Sequence, residues 1–410
     1  MNQKTLWYVS KYANISKYGL NTRQSEFCYQ FADIGYDTRL IISNSSHLFS
    51  NLPKFKGVYF HEQVNGVEVT WINTPSYTSS TSVKRVLGWL WFELAVMALV
   101  FRSGIKKPNI VIASSLSLMS VLSGAFYKRF FGAEFIFEVR DIWPKTIVYL
   151  KNMSAKHPLI WLLGKVERFG YHYSDAIVGT MPGLHLHVDE VVTIKKAVNF
   201  IPHGFNLAFY DEPYQKAESS IELMQQLSST KFVVTYAGTF GQANALEYII
   251  DAAKKMYESH RDSVQFVFVG DGSLKSDMQS ECAKYSNITF LPAVERKQLP
   301  DLLKSSDLLV ASVRDEPLYD YGLSLNKFID YMFASRPIVC MFSGYPSMLN
   351  EANCGEFIPA EDADALVDSV LKYKEMTPEQ RAEIGDSGYQ YLMQHRTFEK
   401  LAKQYEKIFC

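Results

Sequence analysis

Short β-rich runs alternate with helical segments along this chain, and the pattern restarts at its midpoint. In the first half, residues 5–10 (TLWYVS), 38–42, 65–72, 110–113, 134–138 (EFIFE), 176–179 and 200–202 read as strands. Residues 21–35, 83–103, 117–131 and 158–173 read as helices between them. In the second half, strands are expected at 231–236 (KFVVTY), 264–269 (VQFVFV), 288–291, 308–311 and 338–342. Helices are expected at 246–257, 274–285, 296–305 and 327–333, and the remainder is mostly helical. Strands separated by helices predict parallel sheets covered on both faces. A chain of 410 residues exceeds one ordinary core, so two doubly wound α/β domains in series are expected. The polar DEPYQKAESS stretch places the linker near 205–230. Ligands of such folds sit at the carboxyl ends of the strands, and two such domains are expected to face a central cleft.

Composition excludes several classes. Hydrophobic residues make up 47% and charged residues 21%, which is globular and not disordered. A net charge of −1 with no basic run argues against nucleic-acid binding. Five widely spaced cysteines without a CxxC pair read as reduced thiols, not as disulfides or a zinc site. The opening MNQKTLWYVSKY lacks the apolar core of a secretory signal, so a cytoplasmic location is expected. Residues 86–101 (VLGWLWFELAVMALVF) form an apolar run flanked by Lys84, Arg85, Arg102, Lys106 and Lys107. It is short of the ~20 residues that span a bilayer. It reads either as a core helix or as a helix lying on an anionic membrane surface, and one helix can do both.

The stretches after strands carry the candidate chemistry. YAGTFGQ (236–242) offers Gly238 and Gly241 ahead of a helix, and VGDGSLK (269–275) offers Gly270 and Gly272; each is a close-approach loop for an anion or a plain turn. A dinucleotide fingerprint would be G-x-G-x-x-G after the first strand, and SKYANISKYGLNTR lacks it. In KYGLNTRQSEF (17–27), Gly19 turns the loop and Arg23 lies in the first helical turn. A cation there is unfavourable against the helix dipole unless an anion relieves it. EVRDIWPK (138–145) ends a strand in Arg140 and Asp141 beside Trp143, which suits a sugar acceptor or, equally, a structural ion pair. His203 in IPHGFN (201–206) is a loop histidine with a possible ligand role. In YDYGLSLNKFIDYM (319–332), the amides of Gly322, Leu323 and Ser324 form a candidate anion nest, and Lys327 adds a cation within a turn. Asp330 lies three residues on, placed to accept from a vicinal diol or to pair with Lys327. Nest, cation and diol acceptor together describe a nucleoside diphosphate.

These stretches, in this order and spacing, resemble the family 4 retaining glycosyltransferases of GT-B fold. The markers are RDIWP (140–144), IPHGF (201–205), YAGTFG (236–241), FVGDGSLK (268–275) and SLNKFIDYMFASRPIV (324–339). The last resembles a variant found in bacterial O-antigen and capsule enzymes, N-acetylfucosaminyltransferases among them. Three departures stand out. Gly322 occupies the position of the first of two family acids, with Asp330 at the second. Leu325 and Ser335 replace a proline and a glycine. Gln242 and Asn244 stand where many members carry a cation pair.

The resemblance implies transfer of a sugar from a UDP-linked donor, an N-acetylated deoxyhexose among the candidates, with retained configuration and no metal or other cofactor. The acceptor it implies is a polyprenyl-diphosphate-linked sugar of lipopolysaccharide or capsule synthesis, met by the 83–107 helix at the inner membrane face. It assigns Asp141, Arg140 and Lys327 to catalysis. Donor binding falls to Gly19, Arg23, Gly238, Thr239, Gly241, Gly270, Gly272, Gly322, Leu323, Ser324, Asn326 and Asp330, and acceptor binding to Trp143 and His203. The domains implied are 1–207 for the acceptor and 208–392 for the donor, with a last helix near 393–410 returning to the first. A nucleotide-sugar 2-epimerase and a non-catalytic nucleotide-sugar binder are the alternatives of similar architecture.

Overall fold

The computed structural model describes residues 3–46, 49, 51–76, 83–150, 153–212, 218–228, 230–260 and 263–409. The chain forms two compact units, Met1–Gly204 with Phe398–Cys410, and Phe205–Thr397.

The first unit is built from β1 (Thr5–Val9), α1 (Arg23–Asp33), β2 (Asp37–Ser43), β3 (Tyr59–Val64), β4 (Val67–Ile72), α2 (Val83–Leu99) and β5 (Ile110–Ser114). It continues with α3 (Ser120–Phe131), β6 (Glu134–Val139), α4 (Lys145–Leu150), α5 (Pro158–Tyr173), β7 (Ala176–Gly179), α6 (Leu184–Val191) and β8 (Val198–Phe200). Its strands order as β3-β4-β2-β1-β5-β6-β7-β8. The central strands β1 and β5 are buried along their whole length, as expected of strands covered on both faces. α1 begins at a capping box in which Thr22 and Ser25 satisfy each other's orphan amides.

The strand expected at 65–72 is present as β4 from Val67 on. Asn65 (φ 48°) and Gly66 (φ 76°) instead make a two-residue hairpin turn, and β3, not expected from the sequence, runs antiparallel to β4 as the sheet edge. The Asn-Gly pair carries that signal, because both turn positions need positive φ. β3 reads YFHEQV, half-exposed along its length, so it lacks the apolar run of its parallel neighbours. Helix α2 also ends at Leu99, short of the expected 103–107.

The second unit comprises α7 (Leu207–Asp211), α8 (Glu218–Ser228), β9 (Phe232–Ala237), α9 (Leu246–His260), β10 (Val264–Val269), α10 (Lys275–Cys282), β11 (Ile288–Leu291) and α11 (Leu299–Leu303). It is completed by β12 (Leu308–Ser312), α12 (Lys327–Phe333), β13 (Ile338–Met341), α13 (Met348–Ala352), β14 (Gly355–Ile358), α14 (Ala363–Glu375) and α15 (Pro378–His395). Its strands order as β11-β10-β9-β12-β13-β14, every pairing parallel. That is the 3-2-1-4-5-6 order of a Rossmann sheet, whose topological switch point falls between β9 and β12. β14, absent from the sequence reading, is a four-residue, half-buried strand.

The chain crosses between the units at Gly204/Phe205 and at Thr397/Phe398, three residues before the expected 207 and five after 392. Phe205 bridges Thr397 and donates its amide to Arg396 O (2.9 Å), which ties both crossing points to the second unit. The last helix, α16 (Phe398–Glu406), lies against α1 in the first unit, where Phe398 and Tyr405 pack edge-on to Phe27.

Ser335, at the position of the family glycine, follows α12 with φ 52°. The left-handed geometry of a helix C-terminus is therefore kept although the glycine is not. A left-handed conformation costs an L-residue about 1–2 kcal/mol. Ser335→Gly is expected to stabilise the protein by about 0.5–1 kcal/mol once the added chain entropy of glycine is offset. Chemical denaturation of both proteins measures this, and a destabilised variant would contradict it.

Candidate functional site

At the second unit's switch point, the loop after β9 and the loop after β10 lock together. Gly238 N donates to Val269 O (2.9 Å) and Phe240 N to Asp271 O (2.9 Å). Gly270 (φ 141°) and Gly272 (φ 156°) are required by this contact. A Cβ on Gly270 would come within 1.9 Å of Gly238 O, and one on Gly272 within 2.4 Å of Phe240 O. Their glycine character thus has a packing cause. A Cβ on Gly241 would meet only Thr239 Cγ2, at 3.8 Å, and Thr239 is exposed.

Lys327, the first residue of α12, points at this edge. Its Nζ donates to Asn244 Oδ1 (3.0 Å) and to the Tyr236 hydroxyl (3.2 Å), and lies 4.4 Å from the Tyr236 ring centroid. A Cβ on Gly238 would stand 3.3 Å from Nζ. Glycine there keeps the cation's approach open. Burial pushes the Lys327 ammonium down to about 8. Its partners are a phenol and an amide, neither of which supplies a negative charge. The other lysine at this edge, Lys275, is committed to Gly270 O (2.7 Å) and Leu291 O (2.8 Å). From sequence, Asn244 stands out only as a departure from the family's cation pair and Tyr236 only as the start of YAGTFGQ; neither is linked there to Lys327. Asn244 also donates to Thr239 O (3.0 Å), as does the Tyr236 hydroxyl (2.9 Å), so both fix the glycine loop and the cation together.

The loop before α12 corrects the nest expected there. Gly322 ends a short 3-10 turn, Pro317–Tyr321, with φ 98° and its amide bonded to Tyr319 O (2.9 Å). That amide is occupied, so the nest reduces to Leu323 and Ser324. The positive φ also shows why an acid does not stand at 322: a residue with a Cβ would be strained there. Ser324 Oγ is buried with no hydrogen-bond partner among the described residues. Asn326 is exposed and makes no side-chain cap.

Asp330 does not turn to Lys327. Its Oδ1 accepts from the Tyr210 hydroxyl (2.5 Å) and Arg296 Nε (3.2 Å), and its side chain is buried. Tyr210 in turn stacks on Phe333 at 4.3 Å. Arg296 and Tyr210 carry no sequence signal, since they come from separate segments that only the fold brings together.

In the first unit, Arg140 and Asp141 follow β6 at the sheet's carboxyl edge. Arg140 N donates to Ser115 Oγ (3.0 Å) after the neighbouring strand, and Arg140 Nε is buried without a partner among the described residues. Burial raises the Asp141 carboxyl, against the opposing pull of Arg140. Trp143 is half-buried, edge-on to Trp89 at 5.9 Å. His203 is half-buried in the loop after β8, and Gly19 (φ 134°) is exposed at the end of the Ser16–Tyr18 turn.

Arg23 is not a ligand-facing cation. It is buried, with Nε on Glu138 Oε1 (3.0 Å), Nη2 on Ile201 O (2.8 Å) and Nη1 on Pro202 O. Glu138 relieves the charge that was expected to require a bound anion. Glu138 also accepts from the Tyr8 hydroxyl (2.6 Å) and Ser114 Oγ (2.8 Å). Burial pushes its carboxyl up, but Arg23 and these donors outweigh that and hold it below the usual range.

The fold and these edges define a class. Both units are Rossmann-like, and the architecture is that of GT-B glycosyltransferases. Sucrose-phosphate synthase from Thermosynechococcus elongatus superposes with a TM-score of 0.72 at 13% identity, covering 99% of this chain and 98% of its own. The trehalose-6-phosphate protein of E. coli bound with UDP-2-fluoro glucose gives 0.73 at 11%, with 99% of each chain covered. HepE of Anabaena in complex with UDP and glucose gives 0.64 at 12%, again with 99% of each.

More particularly, residues 231–375 match the family model described as Glycosyl transferases group 1. The colanic acid biosynthesis glycosyl transferase WcaI of Escherichia coli (strain K12) is 20% identical over 297 residues, spanning 70% of this chain and 72% of its own. The match to the group 1 glycosyl transferase model thus falls within the second unit, and the GT-B fold is shared over the length of the chain.

Two outcomes follow from these geometries. Arg23→Ala leaves Glu138 buried and unpaired, so it is expected to cost about 3–5 kcal/mol of stability. The folded fraction should keep wild-type affinity for UDP; a selective loss of UDP binding without destabilisation would restore Arg23 as a ligand group. Lys327 is charged below its folded pKa of about 8 and neutral above it. If its charge holds a diphosphate, the Kd for UDP rises with pH above about 8, approaching tenfold per pH unit, and Lys327→Met abolishes that slope. Because this pKa lies below the unfolded value, folding stability should rise with pH between about 8 and 10.4. Titration calorimetry from pH 6.5 to 9.5 measures the binding arm, and thermal melts measure the other.

Proposed function

We propose that this protein is a retaining, metal-independent glycosyltransferase that moves a sugar from a UDP-linked donor to a lipid-diphosphate-linked glycan. The observation that carries the reading is the Lys327 ammonium, desolvated and without an acidic partner among the described residues, beside Gly238 at the switch point. A buried cation lacking a counterion is costly, and a diphosphate would supply one. Two of the structural relatives hold UDP or a UDP-sugar.

In this reading, the second unit holds the donor. Lys327 and the amides of Leu323 and Ser324 face the diphosphate, while Gly238 and Thr239 give the loop its close approach. Asp330 reaches a ribose hydroxyl through Oδ2, with Oδ1 fixed by Arg296 and Tyr210. The bond from the sugar's anomeric carbon to the β-phosphate oxygen breaks. The acceptor hydroxyl bonds the same carbon on the same face, its proton passes to a phosphate oxygen, and UDP leaves. Lys327 stabilises the charge that develops on that leaving group.

The first unit presents Asp141, Arg140 and Trp143 to the acceptor. The raised Asp141 carboxyl suits a group that orients a hydroxyl. Among the described residues, no helix is long and apolar enough to cross a membrane. Leu87, Leu90, Leu94 and Phe101 nonetheless leave an exposed apolar stripe along and just beyond α2, with Lys84 and Arg102 at its ends. Phe130 on α3 and Trp161, Leu162 and Phe169 on α5 extend it, since these helices pack side by side. Apolar rings bordered by cations suit the surface of an anionic inner leaflet, where the lipid acceptor would be met.

Incubation with UDP-sugars and a synthetic polyprenyl-diphosphate sugar, followed by mass spectrometry, tests the reading. A glycolipid one sugar heavier, formed equally in EDTA and slowed at least ~100-fold by Lys327→Ala, is expected. Donor interconversion without acceptor would replace the reading with an epimerase. In flotation assays, Leu94→Glu/Phe101→Glu should abolish binding to vesicles containing phosphatidylglycerol. Unchanged flotation would remove the membrane contact.

A further inference from the structure

A cavity of about 640 Å³ opens at the carboxyl ends of β2 and β4 in the first unit. Its floor is a cross-strand amide pair. Asn44 Nδ2 donates to Asn73 Oδ1 (3.1 Å), Thr74 N donates to Asn44 Oδ1 (3.0 Å), and Asn73 Nδ2 donates to Gly57 O (3.0 Å). These bonds fix both amides and leave each with unused donor or acceptor capacity. Ser45 and the exposed Lys54 add polar groups to the wall. Trp91 of α2 forms the apolar side, with its indole Nε1 donating to Asn73 O at 2.9 Å. That bond pins the ring while 42% of the residue stays exposed.

We propose that this cavity is an oligosaccharide subsite. A rigid, solvent-open indole beside fixed amides and hydroxyls matches a ligand with apolar ring faces and many hydroxyl groups. The volume falls in the range of small-molecule sites, at about 300–1,000 Å³. Along the sheet edge, β4 stands four strands from β6 (β4-β2-β1-β5-β6), which is roughly 19 Å at ~4.8 Å per strand. A glycan with one end at Asp141 and another part at Trp91 must therefore hold several sugar rings. The assignment of this glycan as the acceptor rests on the glycosyl-transfer reading; the saccharide chemistry of the cavity does not.

The test uses the full chain without donor, titrated with neutral malto-, cello- and chito-oligosaccharides of two to four residues and followed by saturation-transfer NMR and tryptophan fluorescence. At least one series is expected to bind, with longer members tighter. Trp91→Ala should weaken it at least about tenfold, the scale of losing one aromatic platform. Trp91→Phe should keep most of the affinity, and both variants should bind UDP and melt like the parent. No binding by any series, or binding that Trp91→Ala leaves intact, overturns the subsite. UDP binding and glycolipid formation on the same preparations report separately on the transfer reading. Oligosaccharide binding without them keeps the subsite and removes the transferase.

Discussion

The Lys327 ammonium at the switch point of the second sheet is held by a phenol and an amide instead of an acid. Position follows from topology. β9 and β12 part at the switch point of the second sheet, the glycine loop after β9 packs on the loop after β10, and α12 brings its first residue to that edge. Energetics follow from the partners. Tyr236 and Asn244 orient Nζ without neutralising it, and burial lowers its affinity for a proton. Were Asp330 its partner, as spacing alone allowed, the charge would already be satisfied. Arg296 and Tyr210 draw Asp330 away.

The first unit shows the opposite arrangement. Arg23 and Glu138 are both buried, but they face each other, and the remaining donors and acceptors meet Tyr8, Ser114 and the carbonyls of 201 and 202. A pair satisfied in this way pins α1 to the loop after β8 and offers nothing to a ligand. Burial alone does not mark a functional charge; what its partners leave unsatisfied does.

Much of the fold was legible because its strands are continuous apolar runs bounded by helices; several, such as Val264–Val269 and Ile288–Leu291, match the reading residue for residue. The misses have a common cause. β3 and β14 are half-exposed strands whose composition does not stand out. Lys327, Gly238 and Asp330 were visible in the sequence as motif residues. Their pairing with Asn244, Tyr236, Arg296 and Tyr210 was not, because hydrogen bonds across separate segments leave no local pattern. Arg23 was misjudged for the same reason: its first-turn position was plain, but Glu138, 115 positions away, was invisible as its partner. The departures at Gly322 and Ser335 also needed the backbone. One occupies a positive φ that an acid could not hold without strain, and the other keeps the left-handed conformation without glycine.

The most direct measurement is a crystal structure of the protein soaked with UDP. The account predicts a β-phosphate oxygen within about 3 Å of Lys327 Nζ, where charge-assisted bonds form, at the loop carrying Gly238. UDP lodged elsewhere, or Lys327 still bonded only to Tyr236 and Asn244 with the nucleotide bound, would contradict it.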